Sequence, residues 1–264
     1  MVGDRAENID RVRKTWDERA ERYDEWYRTF EGAVEHHLDL ELLTRHLPED
    51  RSIKILDAAG GTGRITLPLA EMGYSVTLCD ISHGMLDVAR KKLRKEGLVD
   101  RASILKCDIR DLPFQDESFD FVICWNGIAE AAGEAVRVTK KGGRISIFLV
   151  NKWSAIINRF YKEPASTLTL IERSPTYLED EEWSYRALTI QETRELFEKL
   201  GIRVLDVYAL CGWMSVLSIP EKMRGSHDWD EAFFEQTVRM VRKLCQEPSV
   251  SGMSRHLVLY GEKK

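Results

Sequence analysis

None of the apolar runs in these 264 residues reaches the roughly 18 residues a membrane-crossing helix needs, so no membrane span is expected. The opening Met1-Val2-Gly3-Asp4-Arg5 lacks the apolar stretch of a secretory leader, which makes a cytoplasmic location the expectation. Asparagine occurs only at Asn8, Asn126, Asn151 and Asn158, and glutamine only at Gln115, Gln191, Gln236 and Gln246. Few heat-labile amides beside many Glu, Lys and Arg lean towards a thermophilic source. The cysteines Cys79, Cys107, Cys124, Cys211 and Cys245 form no Cys-x-x-Cys pair, and three of them sit in apolar strand-like runs. Buried thiols are expected from that, not zinc ligands or disulfides, and no metal. A net charge of -5 with 31% charged residues excludes a generic polyanion binder but allows a local basic patch. There is no repeat and no low-complexity tract.

With 43% hydrophobic residues the chain can build one large core. Residues 8–30 read as a helix with aromatics at helical spacing: Trp16, Tyr23, Trp26, Tyr27 and Phe30. The stripe is either packing, favoured for Trp16 and Phe30, or a lid that brings Tyr23 or Tyr27 to a pocket. A second helix is expected from Ala33 to Leu47, ended by Pro48. From Ile53 onward strands and helices alternate. Strands are expected at 53–58, 75–79, 103–107, 119–124 and 144–150, and helices at 63–72, 83–96 and just before Lys141. That alternation predicts a Rossmann-like, mostly parallel sheet with helices on both faces. Residues 151–187 break the rhythm with Trp153, Phe160, Tyr161, Trp183, Tyr185 and an acidic run at 179–182, and read as a cap insertion. Helix 190–200, strand 202–210, a helix near 229–246 and strand 256–260 follow. The expectation is one domain over 1–264, with N-terminal helices in 1–48.

The segment Ile53 to Arg64 is an apolar strand, an acid (Asp57) and a turn of small residues, Ala59, Gly60, Gly61 and Gly63. Small residues let a ligand lie against the backbone, and the helix start behind them favours an anion. Asp80 ends the next strand, near the spacing that places an acid on ribose hydroxyls. Asp108 follows the third strand, where a carboxylate can accept from an adenine amine while Ile109 packs on the purine. A turn cap is the plain alternative for Asp108. A dinucleotide Gly-x-Gly-x-x-Gly fingerprint starting at Gly61 would need glycine at Thr66, and no Gly-Lys-Ser/Thr follows, so neither a nicotinamide site nor a triphosphate loop fits.

Together these sites resemble class I S-adenosylmethionine-dependent methyltransferases over about residues 50–150. Their acid-x-Gly-x-Gly-x-Gly motif is met by Asp57, Gly61 and Gly63, with Ala59 replacing the first glycine. The resemblance implies S-adenosylmethionine as cofactor and a seven-stranded sheet closed by the antiparallel strands 202–210 and 256–260. It also implies that Asp57, Ala59, Gly60, Gly61 and Gly63 line the methionine part, that Asp80 holds the ribose, and that Ile81 and Met85 are further cofactor contacts. Asp108 and Ile109 would flank adenine, and Trp125 and Asn126 would line the pocket beyond the fourth strand. A narrower resemblance, through Leu78-Cys79-Asp80-Ile81-Ser82, Asn151 and the segments around Cys245 and His256, is to bacterial tRNA methyltransferases that esterify 5-carboxymethoxyuridine at the wobble position. In those the residue at Trp125 is a histidine and the stretch from Trp125 to Gly142 is longer.

Three acceptor readings result: a tRNA wobble carboxylate, a small metabolite, and no acceptor at all in a non-catalytic binding protein. A carboxylate needs no strong base, and alignment alone accelerates its methylation. For tRNA, Arg159, Lys162, Arg173 and Arg186 of the cap would meet phosphates and Trp153 and Tyr161 would stack on a base, while Arg255 and His256 would reach the pocket from the last strand and Tyr23 and Tyr27 are the lid's substrate-side candidates. The cap's acidic run opposes that, and the basic face Arg90 to Lys95 reads first as a solvated helix surface. No catalytic residue is assigned, because methyl transfer does not require one.

Overall fold

The computed structural model describes residues 3–125, 131–160, 162–173, 176–179, 184–210 and 225–264. Asn126, Tyr161, Trp183, Cys211 and most of the acidic run lie outside the described residues.

Seven strands form one sheet in the order β3-β2-β1-β4-β5-β9-β8. In chain order the parallel strands are β1 (Lys54–Ala58), β2 (Ser75–Asp80), β3 (Ala102–Lys106), β4 (Phe119–Cys124) and β5 (Thr139–Val150). The last strand, β9 (His256–Lys263), runs antiparallel between β5 and β8 (Ile202–Leu210). It extends three residues past the predicted end, because Gly261 and Glu262 continue the ladder on both sides and Lys263 continues it against β8. Side chains alternate across the pleat. Ile55, Phe121 and Ile123 pack on one face with α2 (Phe30–His46) and the C-terminal helix Glu231–Leu244. Leu56, Val122 and Ile145 pack on the other with α5 (Ala132–Val138) and α8 (Ile190–Lys199). Helix α8 starts in a capping box: Thr189 Oγ1 accepts from the Glu192 amide at 3.1 Å, and Glu192 Oε2 accepts from the Thr189 amide at 2.8 Å.

The N-terminal region departs from the expected pair of helices. α1 (Gly3–Arg19) tightens into a 3-10 stretch, Ala20–Arg28. Thr29 then starts α2, its hydroxyl accepting from the Gly32 amide at 3.2 Å. Phe30 therefore opens the second helix instead of ending the first, and it stacks on Phe233 of the C-terminal helix at 5.4 Å. The tight stretch swings the chain across α4 (His83–Lys95). There Asp17 Oδ1 accepts from the Ser82 hydroxyl at 2.6 Å and from the Gly84 amide at 2.9 Å. The basic face of α4 is occupied in the same way, Lys91 by Glu21 at 2.7 Å and Lys92 by Asp24 at 2.5 Å.

The described residues of 151–187, the segment expected as a cap, form helices α6 (Lys152–Phe160) and α7 (Pro164–Ile171) and the antiparallel pair β6 (Thr176–Glu179) and β7 (Ser184–Ala187). Asn151 ties it to the sheet's end: its side-chain amide donates to the carbonyls of Ser251 at 3.1 Å and Gly252 at 3.2 Å.

Because Thr189 and Glu192 satisfy two first-turn groups reciprocally, Thr189→Ala is expected to cost about 1 kcal/mol of stability, read from urea unfolding. An unchanged midpoint would show that the cap contributes nothing.

Candidate functional site

Strand β1 lies between β2 and β4, so chain order reverses beside it and a crevice opens at the strands' carboxyl ends. The residues after β1 build that crevice. Asp57 is buried, its Oδ2 accepting from Thr66 Oγ1 at 2.6 Å. Ala59, Gly61 and Gly63 take left-handed φ values of 58°, 56° and 74°. Gly60 is required for space: a Cβ there would collide with Leu78 and the Asp57 carboxyl. The turn closes through Gly63 N donating to Gly60 O at 2.9 Å, and Gly60 N donates across to Cys79 O at 3.1 Å.

The two acids sit at adjacent strand ends, as the spacing predicts. Asp80 Oδ2 accepts from the Gly61 amide at 3.0 Å and Oδ1 from the Ser82 amide at 2.9 Å. Its remaining acceptor positions suit hydroxyl donors, and it is only 8% exposed. Burial raises its carboxyl above the usual range, against the Ser82 and Gly61 amides. Met85 is buried behind the turn, with its sulfur 3.8 Å from where a Gly61 Cβ would stand, and Ile81 is half-buried. Asp108 has a partner the sequence did not announce: Arg110 Nε and Nη2 donate to its carboxylate at 3.0 and 2.6 Å. Partial burial pushes this carboxyl up, but Arg110 outweighs it and holds it below its ordinary value. Ile109 packs on the core beneath.

Trp125, just past β4, is buried, with its indole N–H donating to Ser146 Oγ at 2.8 Å and its edge on Phe148. Tyr27 lies against Tyr23 at 6.0 Å between ring centroids. Asp24, from the same stretch, accepts from Thr62 Oγ1 at 2.7 Å, which brings the N-terminal segment onto the turn. The cap candidates engage elsewhere. Arg159 pairs with Glu163 at 2.9 Å, Trp153 carries Lys152 on its ring at 5.2 Å, and the Arg255 side chain is exposed.

Sequence reasoning missed Arg64, Asp39 and His36. Arg64 Nη1 donates to Asp39 Oδ2 at 2.8 Å and stands 3.0 Å from His36 Nδ1. Its guanidinium lies over the Tyr27 ring at 4.3 Å and 5.9 Å from the Trp125 ring. Burial pushes Asp39 up to about 7 against the pull of Arg64, and pushes His36 down to about 4 with Arg64 adding to the effect. One signal was available. Glu35 and Asp39 share the α2 face that carries Val34, Leu38 and Leu42, and acids on a buried stripe call for a cation.

Comparison with known proteins bears on this geometry. Residues 55–143 match the family model described as a methyltransferase domain. A ubiquinone/menaquinone biosynthesis C-methyltransferase UbiE of Idiomarina loihiensis is 36% identical over 121 residues, 42% of this chain and 48% of that protein. A demethylmenaquinone methyltransferase of Clavibacter sepedonicus is 41% identical over 100 residues, 36% of this chain and 40% of that protein. The chain thus spans about half or less of the length of these curated relatives. Among solved structures, an S-adenosylmethionine-dependent methyltransferase of Thermotoga maritima superposes with a TM-score of 0.59 at 20% identity, covering 96% of this chain and 100% of that one. A geranyl diphosphate methyltransferase in complex with S-adenosylmethionine gives 0.57 at 15% identity, over 86% and 85%. The sheet is the Rossmann-like methyltransferase fold, and S-adenosylmethionine is the cofactor that its half-site fits.

The Asp57 carboxyl sits at about 6 in the fold, raised by burial against the Thr66 hydrogen bond, compared with 3.8 for the free side chain. The folded state therefore binds the proton first, and stability falls as pH rises through that window. Urea midpoints of the wild type are expected to drop relative to Asp57→Asn between pH 4 and pH 6. Parallel pH curves would refute a buried titrating Asp57.

Proposed function

We propose that the chain transfers the methyl group of S-adenosylmethionine to a small, largely apolar acceptor. The observation that carries this reading is the Gly61–Asp80 half-site, opening beside aromatic groups from the N-terminal segment. When bound, the cofactor supplies an electrophilic methyl on a sulfonium; the acceptor's electron pair forms the new bond, and the S–C pair returns to sulfur. The chain's residues bind and align. Gly60, Gly61 and Gly63 leave room along the backbone for the methionine part. Asp80 receives the ribose hydroxyls, and Ile109 with Asp108 borders the adenine. For Asp108 to accept the adenine amine it has to share its oxygens with Arg110, which a carboxylate's several acceptor positions allow. Trp125, Tyr23 and Tyr27 wall the acceptor side and keep water from it.

The relatives support the small-molecule acceptor, since one is named for ubiquinone/menaquinone biosynthesis and the other for demethylmenaquinone. The tRNA reading is the second candidate. Against it stand the pairing of Lys91, Lys92 and Arg159 with acids and the net charge of -5, which leave less free positive surface for phosphates.

At about a hundredfold excess over its Kd, S-adenosylhomocysteine is expected to raise Tm by about 5–10 °C, and Asp80→Ala to remove the rise. No shift in the wild type would sink the cofactor assignment. Labelled S-adenosylmethionine given with fractionated cell extract is expected to mark a solvent-extractable metabolite. Label entering RNA, with binding that weakens about a thousandfold between 50 and 200 mM salt, would replace this reading with the tRNA one.

A further inference from the structure

Arg64 is a guanidinium with 9% of its side chain exposed, immediately after the last glycine of the cofactor turn. One nitrogen, Nη1, serves both Asp39 and His36. Nε and Nη2 donate to no described residue, and neither is among the wholly sealed polar atoms that lack a partner, so that edge of the fork keeps some access. The groups around it are Asp39, Glu35, His36, Tyr23 and Tyr27. His36 is neutral at pH 7, so its Nδ1 accepts from Arg64 and its Nε2 carries the proton. Asp39 is wholly buried and its Oδ1 has no partner. The pair is thus held from behind, while its donor edge stays unspent between aromatic rings.

We propose that this edge anchors the methyl acceptor by an acidic hydroxyl of the phenol or enol class, bound as an oxyanion, with Asp39 and His36 as positioning residues; the proposal rests on the methyltransferase reading. An oxyanion meets both free donors at once in the fork geometry that guanidinium favours. The Tyr27 ring at 4.3 Å and the Trp125 ring at 5.9 Å provide flat apolar walls, which suit a conjugated ring. A cation at contact distance favours the ionised hydroxyl. The O–H bond breaks, its proton goes to solvent, and the electron pair stays on an oxygen that Arg64 neutralises. The acceptor then meets the cofactor as an electron-rich anion, which removes the need for a separate base. Arg64 adjoins Gly63 in the chain, which ties the anchor to the turn assigned above to the methionine part.

The probe is 4-nitrophenol, whose anion is yellow and whose neutral form is not. At a pH below its free midpoint, wild-type protein saturated with S-adenosylhomocysteine is expected to raise the phenolate fraction about tenfold. Arg64→Lys is expected to keep part of the rise and Arg64→Met none. The double variant Arg64→Met/Asp39→Leu, which leaves no orphaned buried acid, is also expected to show none while retaining the S-adenosylhomocysteine Tm shift. No colour change with the wild type, or a full change with either Arg64→Met protein, overturns the proposal. So does a fall in S-adenosylhomocysteine affinity in Arg64→Met with unchanged affinity for 5′-methylthioadenosine, since the guanidinium would then serve the cofactor's carboxylate. Absence of any S-adenosylhomocysteine shift in the wild type would count against the methyltransferase reading, and the colour change would still decide on the anchor.

Discussion

The Gly61 amide donating to Asp80 joins the ends of the neighbouring strands β1 and β2. The rest of the site depends on that bond. It fixes the height of the glycine turn above the sheet and orients the Asp80 carboxylate, whose other oxygen is held by the Ser82 amide. Ser82 in turn starts α4, its hydroxyl accepting from Met85 N at 3.1 Å and donating to Asp17. One carboxylate therefore links the turn, the second helix crossover and the N-terminal segment. Burial makes the arrangement costly for a charged group, and the amide donors offset the cost. A site ordered before its ligand arrives loses less entropy on binding.

A second constraint comes from charge placed in the core. α2 offers Glu35 and Asp39 on its buried face, and Arg64 reaches them from the turn. Such a pair is weak evidence of stability, because desolvating both partners consumes most of their attraction. Breaking it would strand a buried charge, so it works as a registration device: α2 can dock only where Arg64 meets Asp39. The aromatic groups follow, because Tyr27 precedes α2 by a single turn and lies on the guanidinium. The docking of α2, the placement of Tyr27 and the proposed acceptor anchor thus meet at one side chain.

The sheet was legible in the sequence because its signals are local. Apolar strands ended by Asp57 and Asp80, with small residues between, leave few other foldings for residues 53 to 80. The ladder of β9 ran longer than expected because backbone pairing carries Glu262 on both sides and even Lys263 on the β8 side, which an apolar pattern cannot announce. The break between α1 and the 3-10 stretch was not legible either. Aromatic spacing continues through Tyr23 and Tyr27, while the turn to α4 is set by tertiary hydrogen bonds from Asp17 and Asp24. Arg64 on Asp39 was missed for a related reason: a partner's identity depends on which elements meet, and spacing holds no record of that. Arg110 lies only two residues past Asp108, and there the loop conformation that turns the guanidinium back onto the carboxylate was what spacing left open.

Ala59 shows how far the surroundings govern the turn. A residue with a Cβ held at φ 58° costs about 1 kcal/mol relative to its relaxed backbone. The conformation persists because its neighbours over-determine it. Gly60 is pinned to Cys79, Gly63 to Gly60 and Gly61 to Asp80, so Ala59 has no lower-energy path between β1 and those anchors. Alanine in place of the first glycine of the motif therefore leaves the shape of the cradle in place. The sheet imposes the turn's geometry, which is why a departure from the glycine pattern at this position does not weaken the cofactor assignment.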